Sequence, residues 1–253
     1  MFKISQLFYS PVKSLSFSSV NKLEILNKIG IKFDRIFAFT RNLDDKKIEH
    51  ILNNPLDRQI INFLSLKNFP ELNMYNFDFD KNILLLKKNN ILILKTDINI
   101  NHQVKILCNK MQEIIPKVKR IRLISDSVNP FFDTMPSKTI SLINLNTIKD
   151  FEKKISKKVE YQRFRGNIYI DGLDAWHERS LINKTLKIND VKFRVIKEIP
   201  RCSATNIKPN SSKYNLSIPI SLKKFYNSIN LGIYLSPLNN GNINVNDEIL
   251  IDD

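Results

Sequence analysis

Tyr161-Gln162-Arg163-Phe164-Arg165-Gly166-Asn167-Ile168 opens the stretch whose reading decides the fold, and Pro200-Arg201-Cys202-Ser203-Ala204-Thr205 closes it. Between them lie Asp171-Gly172, Ala175-Trp176-His177-Glu178 and the segment Val191-Lys192-Phe193-Arg194-Val195. That last segment alternates apolar and basic residues, the period of a half-buried strand. It delivers the chain to Cys202, which follows an arginine. A thiolate is the reactive form of cysteine, and an adjacent cation lowers its pKa, so Cys202 is a candidate ligand or nucleophile. The competing reading is a small buried hydrophobe, the commonest fate of a lone cysteine.

Working outward, Phe2 and Ile4 alternate with Lys3 and Ser5 as a short strand, and Pro11 bends the chain into a turn carrying Lys13 and Ser14. Ile31 to Thr40 reads as a strand with Asp34 and Arg35 among Phe33, Ile36, Phe37 and Phe39. A buried arginine there needs an anionic partner. Ile83–Leu86 and Ile91–Leu94 flank the polar residues Lys87 to Asn90, the pattern of a hairpin with a four-residue loop. Val104, Leu107, Cys108, Met111 and Ile115 recur at helical spacing until Pro116, which places Cys108 in a core. Ile140–Ile143 reads as a strand. Asn146 or Thr147 then caps a helix with Ile148, Phe151 and Ile155 on one face and lysines on the other. Leu222, Phe225, Tyr226 and Ile229 indicate one more short helix, and His177 reads as a surface or structural histidine.

The 253 residues, 42% of them hydrophobic, suffice for one large domain or two packed ones. The net charge of +15 would ordinarily point to nucleic acid or an anionic surface. Here the lysines are spread along a chain rich in Asn and Ile. Without a zinc-ligand set, an RNA-binding aromatic signature or a basic-region helix, nucleic acid is not the expected partner. Two cysteines, Cys108 and Cys202, make no disulfide framework, and the sequence shows no secretory h-region, so a reducing cytoplasm is expected. The apolar runs fall far short of the roughly 20 residues needed to span a bilayer.

In order along the chain, Phe164-Arg165-Gly166-Asn167, Asp171-Gly172 with Ala175-Trp176, and Arg201-Cys202 with Thr205 and Pro209 together resemble the MOSC domain. Tyr9-Ser10-Pro11-Val12-Lys13-Ser14-Leu15 is similar to the opening of the β-domain that precedes MOSC in many members. Gly30 with Asp34-Arg35-Ile36-Phe37 is similar to that domain's later signature. Leu231-Gly232-Ile233-Tyr234, Asn240-Gly241 and Val245-Asn246-Asp247 look like the closing segment. Gly166 stands where many relatives have proline; separately, where members of the family usually carry a polar, basic T-x-R stretch before a proline, this chain has His50-Ile51-Leu52-Asn53-Asn54-Pro55. The resemblance implies a β-rich α+β fold: an N-terminal β-domain over residues 1–120, packed on a MOSC β-barrel over 121–253, with peripheral helices.

MOSC proteins with this N-terminal partner resemble the amidoxime-reducing components and their bacterial relatives, which hold a molybdenum-pterin cofactor. The resemblance makes Cys202 the single protein ligand to molybdenum and the catalytic residue, a soft sulfur for a soft metal. By position it makes Lys13, Ser14, Arg35, Ser137, Arg165, Asn167, Arg201 and Tyr234 the cofactor contacts, arginine suiting phosphate through its planar fork. The implied reaction is reduction of a small N-hydroxylated or N-oxide compound. With no G-x-G-x-x-G and only two cysteines, the electrons are expected from an external reductase or ferredoxin-like partner. The rivals are a molybdenum-cofactor or sulfur carrier using Cys202 without turnover, a basic nucleic-acid binder, and a purely structural Cys202.

Overall fold

The computed structural model describes residues 2–132 and 139–252, and Ser137 lies outside them. The chain runs β1 (Phe2–Tyr9), β2 (Ser18–Val20), β3 (Lys22–Leu26), β4 (Gly30–Ile31), β5 (Phe37–Arg41), α1 (Asp45–Asn53), β6 (Tyr75–Asp80), β7 (Ile83–Lys88), β8 (Ile91–Asp97), α2 (Asn101–Ile114) and β9 (Ile121–Ser125). It continues through β10 (Ile140–Asn144), α3 (Leu145–Ile155), β11 (Ile168–Asp171), β12 (Thr185–Ile188), β13 (Val191–Pro200), α4 (Ile218–Tyr226), β14 (Asn230–Pro237), β15 (Gly241–Asn244) and β16 (Glu248–Asp252).

Strand β1 pairs with β11 on one side and with β16 on the other, and β11-β10-β14-β13-β12-β16 completes a closed ring of seven strands. Within the ring only β10 and β11 run parallel. The alternation expected from sequence is what fills it: Ile4, Leu7, Leu142, Ile170, Phe193, Val195, Ile233 and Leu235 point inward and are fully or almost fully buried. Each such side chain contributes about 1.5–3 kcal/mol by leaving water. A second core gathers Val12, Leu15, Phe37, Phe39, Phe77, Leu107 and Met111 beneath the β6-β7-β8 sheet and α2. α3 and α4 pack on the outside of the ring through Phe151, Ile148, Ile218 and Leu222. The fold is thus a β-rich α+β architecture, as expected. Among the described residues no helix is long and apolar enough to cross a membrane.

Several local expectations are corrected. The four-residue hairpin loop is a two-residue turn, because Lys87 and Lys88 pair within β7 while Asn89 and Asn90 take φ of 49° and 69°. Two positive-φ residues are what a type I′ turn requires, and asparagine tolerates them. Helix α3 is capped by Asn144, whose side chain accepts from the Asn146 amide at 3.0 Å. Thr147 instead turns inward and donates to the buried Glu178 carboxylate at 2.8 Å. Ile31 to Thr40 is not one strand. The chain breaks at Lys32–Ile36, where Phe33 and Arg35 take φ of 65° and 55°, and resumes as β5. Cys108 is half-buried against the second core rather than sealed within it.

Gly232 sits where β14 carries one residue more than β13: Glu198 pairs with Ile233 and Pro200 with Asn230. Such a bulge bends the strand. At φ 82°, a Cβ on residue 232 would come 2.5 Å from Ile143 Cδ1 and 2.7 Å from the Leu142 carbonyl. Gly232→Ala is therefore expected to destabilise the fold by at least about 2 kcal/mol, read by chemical denaturation. Burial lifts the Glu178 carboxyl above its ordinary range, with Asn144 and Thr147 offsetting part of the shift. A raised folded-state value means the fold holds that proton more tightly than the unfolded chain, so stability falls as pH climbs through it. Glu178→Gln removes this ionisation. The unfolding free energy of the variant relative to the parent should rise as pH increases from about 4 towards neutrality.

Candidate functional site

The segment after β1 leaves the ring and crosses towards β5. Ser10 donates its amide to Asp34 Oδ1 at 2.9 Å, and the Arg35 amide returns to the Ser10 carbonyl at 2.7 Å. These bonds lock two turns together, one carrying Lys13 and Ser14 and the other Asp34 and Arg35. Ser14, Arg35 and Arg165 all have left-handed backbones, with φ of 67°, 55° and 51°. Non-glycine residues adopt this region at a cost and hold it only where the surroundings dictate it, often at functional sites. Arg165 is placed by the turn Tyr161–Phe164, its amide donating to Gln162 O at 3.0 Å.

Two phenylalanines fix the arginines. The Arg35 guanidinium lies 4.9 Å from the Phe17 ring centre and 5.0 Å from that of Phe132; Arg165 lies 4.7 Å from Phe17. Phe17 therefore holds two guanidinium groups beside one ring, each attracted by its π-face. Asp34, 2% exposed, is ion-paired with Arg35. Burial pushes its carboxyl up, against the pull of Arg35, the Ser10 amide, Asn167 and Arg165.

Cys202 is exposed and stands at the head of the short turn Ser203–Asn206, where Thr205 Oγ1 donates to its carbonyl at 2.8 Å. Arg201 before it is buried. Its guanidinium donates to the main-chain carbonyls of Phe164 (2.9 Å, from Nη1) and Leu231 (2.8 Å, from Nε) and rests on the Phe164 ring. Burial holds its pKa down to about 10, with Tyr234, Tyr169 and Cys202 pulling the other way, so it remains a cation at neutral pH. Asn167 is tied into the scaffold. Its side chain accepts from Ser141 Oγ at 2.8 Å and donates to the Phe8 carbonyl at 3.2 Å, joining β10 to β1.

Lys13, Ser14, Arg35, Arg165, Asn167, Arg201, Cys202 and Tyr234 all line one cavity of about 600 Å³. The eighth expected contact, Ser137, falls on the residues that are not described. Sequence reasoning missed Arg58, Arg163 and Lys67, which line the same cavity. Arg58 follows Pro55 by three residues, stacks 4.4 Å from Phe131 and is ion-paired with Asp126. It supplies a basic group just beyond the His50–Pro55 stretch whose sequence lacks one. The proline followed closely by arginine was the available signal. Among the described residues, seven lining side chains are Lys or Arg and none is Asp or Glu. No group of three His, Cys, Asp or Glu is placed to hold a metal ion among them. The donor set therefore suits a ligand that carries anionic charge and approaches a single exposed thiol.

A family model described as MOSC domain matches residues 131–250. Mitochondrial amidoxime reducing component 2 of Rattus norvegicus is 30% identical over 123 residues, 44% of this chain and 36% of that protein. Mitochondrial amidoxime-reducing component 1 of Homo sapiens is 29% identical over 113 residues, 43% of this chain and 32% of that protein. The match thus spans about a third of the length of these curated relatives. Among solved structures, the YuaD protein of Bacillus subtilis superposes with a TM-score of 0.44 at 11% identity, covering 98% of this chain and 94% of that one. Residues 131–250, which bring Arg165, Asn167, Cys202 and Tyr234 to the cavity, are a MOSC domain.

Proposed function

We propose that the cavity binds a molybdenum-pterin cofactor and that the protein is an oxidoreductase reducing small N-hydroxylated or N-oxide compounds. The observation that carries this reading is the pairing of an exposed cysteine with a basic lining whose described residues include no carboxylate. A phosphate-bearing group needs concentrated positive charge, and bidentate guanidinium groups suit it. A metal that arrives with most of its own ligands needs one more from the protein, and a thiolate is a soft donor.

In this reading Lys13, Arg35 and Arg165 grip the phosphate, with Ser14 adding a hydroxyl. Cys202 supplies the thiolate and is the catalytic residue, Arg201 keeps a fixed positive charge beside it, and Asn167 and Tyr234 complete the wall. Ser137 is assigned to the same group of contacts. When bound, the cofactor supplies the two-electron chemistry, while the protein binds, orients and tunes it. Electrons come from an external reductase or ferredoxin-like protein, and the names of the curated relatives support this class of reaction. We assign residues 1–120 to an N-terminal β-domain whose strand β1 completes the barrel of the MOSC domain, assigned to 121–253, and place the protein in the cytoplasm.

Elemental mass spectrometry on protein from a cofactor-producing host tests the reading. The parent should carry near-stoichiometric molybdenum and Cys202→Ala almost none; equal content in both, or none in either, would remove it. Phe17 gives a second test, with inorganic phosphate as probe. Phe17→Leu, which loses the ring beside Arg35 and Arg165, should weaken phosphate binding by about 1 kcal/mol, roughly fivefold, while Phe17→Tyr keeps it. Isothermal titration on both variants reads the difference.

A further inference from the structure

The face formed by α3, the segment 207–217 and α4 lies outside the cavity and has a one-sided chemistry. Residues 207 to 229 include four lysines and no acidic residue. Residues 145 to 160 include five lysines and three acids, and each acid is already engaged within the protein. Asp150 accepts from Trp176 Nε1 and Tyr226 Oη, both at 2.7 Å. Glu152 accepts from the Val159 amide at 2.7 Å, and Glu160 from Arg163 Nε at 2.6 Å. Lys154, Lys157, Lys223 and Lys224 remain at the surface.

Inside this collar stands apolar surface that no core uses. α4 buries Ile218 and Leu222, yet Ile220 on its opposite side is 71% exposed, with Phe225 and Ile229 at 42% and 41%. One groove runs from Lys154 and Lys157 past Tyr214 to Lys224 and Phe225. A second joins Pro219, Ile220 and Ile229 with Lys223 and Lys224, and the two meet at Lys224. Singly exposed apolar residues are ordinary, whereas a contiguous group rimmed by polar residues marks an interaction site.

We propose that this α3–α4 face docks on an anionic lipid bilayer surface, with Ile220, Phe225 and Ile229 entering the headgroup boundary and the lysines meeting lipid phosphates and carboxylates. A short helix with a basic rim and protruding aliphatic and aromatic side chains suits such an interface. Nucleic acid would use the lysines but leave the isoleucines without a medium. An acidic protein would need a preformed pocket for a side chain as prominent as Ile220.

Co-sedimentation of the full chain with phosphatidylcholine vesicles, with and without phosphatidylserine, tests the proposal. Expected are binding to the phosphatidylserine vesicles at least about tenfold tighter than to the neutral ones, and weakening as salt rises. Lys154→Glu, Lys157→Glu and Lys224→Glu combined should abolish that preference. Ile220→Ser should weaken binding severalfold with an unchanged melting temperature. Failure to bind anionic vesicles, equal binding to both vesicle types, or binding indifferent to Ile220→Ser would overturn it. So would tighter retention on duplex DNA that Ile220→Ser leaves intact.

Discussion

Closure of the seven-stranded ring is the constraint from which the rest follows. A sheet with a free edge exposes unpaired amides and carbonyls, and only closure removes both edges. Here the closing strand is β1, which pairs with β11 through Ile4–Ile170 and Leu7–Ile168 and with β16 through Phe2–Ile249. Because β1 must lie there, the chain leaving it at Tyr9 starts beside Asn167, whose side chain binds the Phe8 carbonyl. Lys13 and Ser14 then reach the same cavity as Cys202, nearly two hundred residues later. The strand that closes the barrel is thus also the one from which the chain sets out towards the cavity.

Positive charge at the cavity is held by aromatic faces and main-chain carbonyls as well as by counter-ions. Arg201 is buried with carbonyl acceptors and an aromatic ring, and Arg35 and Arg165 share the ring of Phe17, Arg35 being ion-paired with Asp34 as well. Such an arrangement is costly to assemble, because taking a cation out of water forfeits its hydration. Phenylalanine faces and oriented carbonyls lower that cost without neutralising the charge. The left-handed backbones of Ser14, Arg35 and Arg165 belong to the same economy. They are places where the fold accepts local strain to aim a side chain.

What could be read from sequence follows the range of the interaction that sets it. β13 was legible because burial imposes a period of two on Val191, Phe193 and Val195, and α2 because Leu107, Cys108 and Met111 keep helical spacing. The convergence of Lys13, Arg35, Arg165 and Cys202 was legible only through resemblance, since no local pattern links residues so far apart. The break at Lys32–Ile36 was not legible. It is dictated by the bond from the Arg35 amide to Ser10 and from Ser10 to Asp34, both across more than twenty residues. Nor was the role of Phe17, an unremarked aromatic in a serine-rich stretch, whose importance lies in what two distant arginines do with it.

The pairing of β1 with β16 also bears on how the protein is made. During synthesis β1 emerges long before residues 248–252, which form one of its two ring neighbours. Contacts of such long separation form slowly, since chain entropy must be lost before they are rewarded. Until β16 has left the ribosome, the barrel stays open and its edges invite mispairing. The basic cavity then takes its final shape late, so an anionic ligand meeting a partly made chain would find half a site. A ligand that binds only the closed form would stabilise that closure in turn.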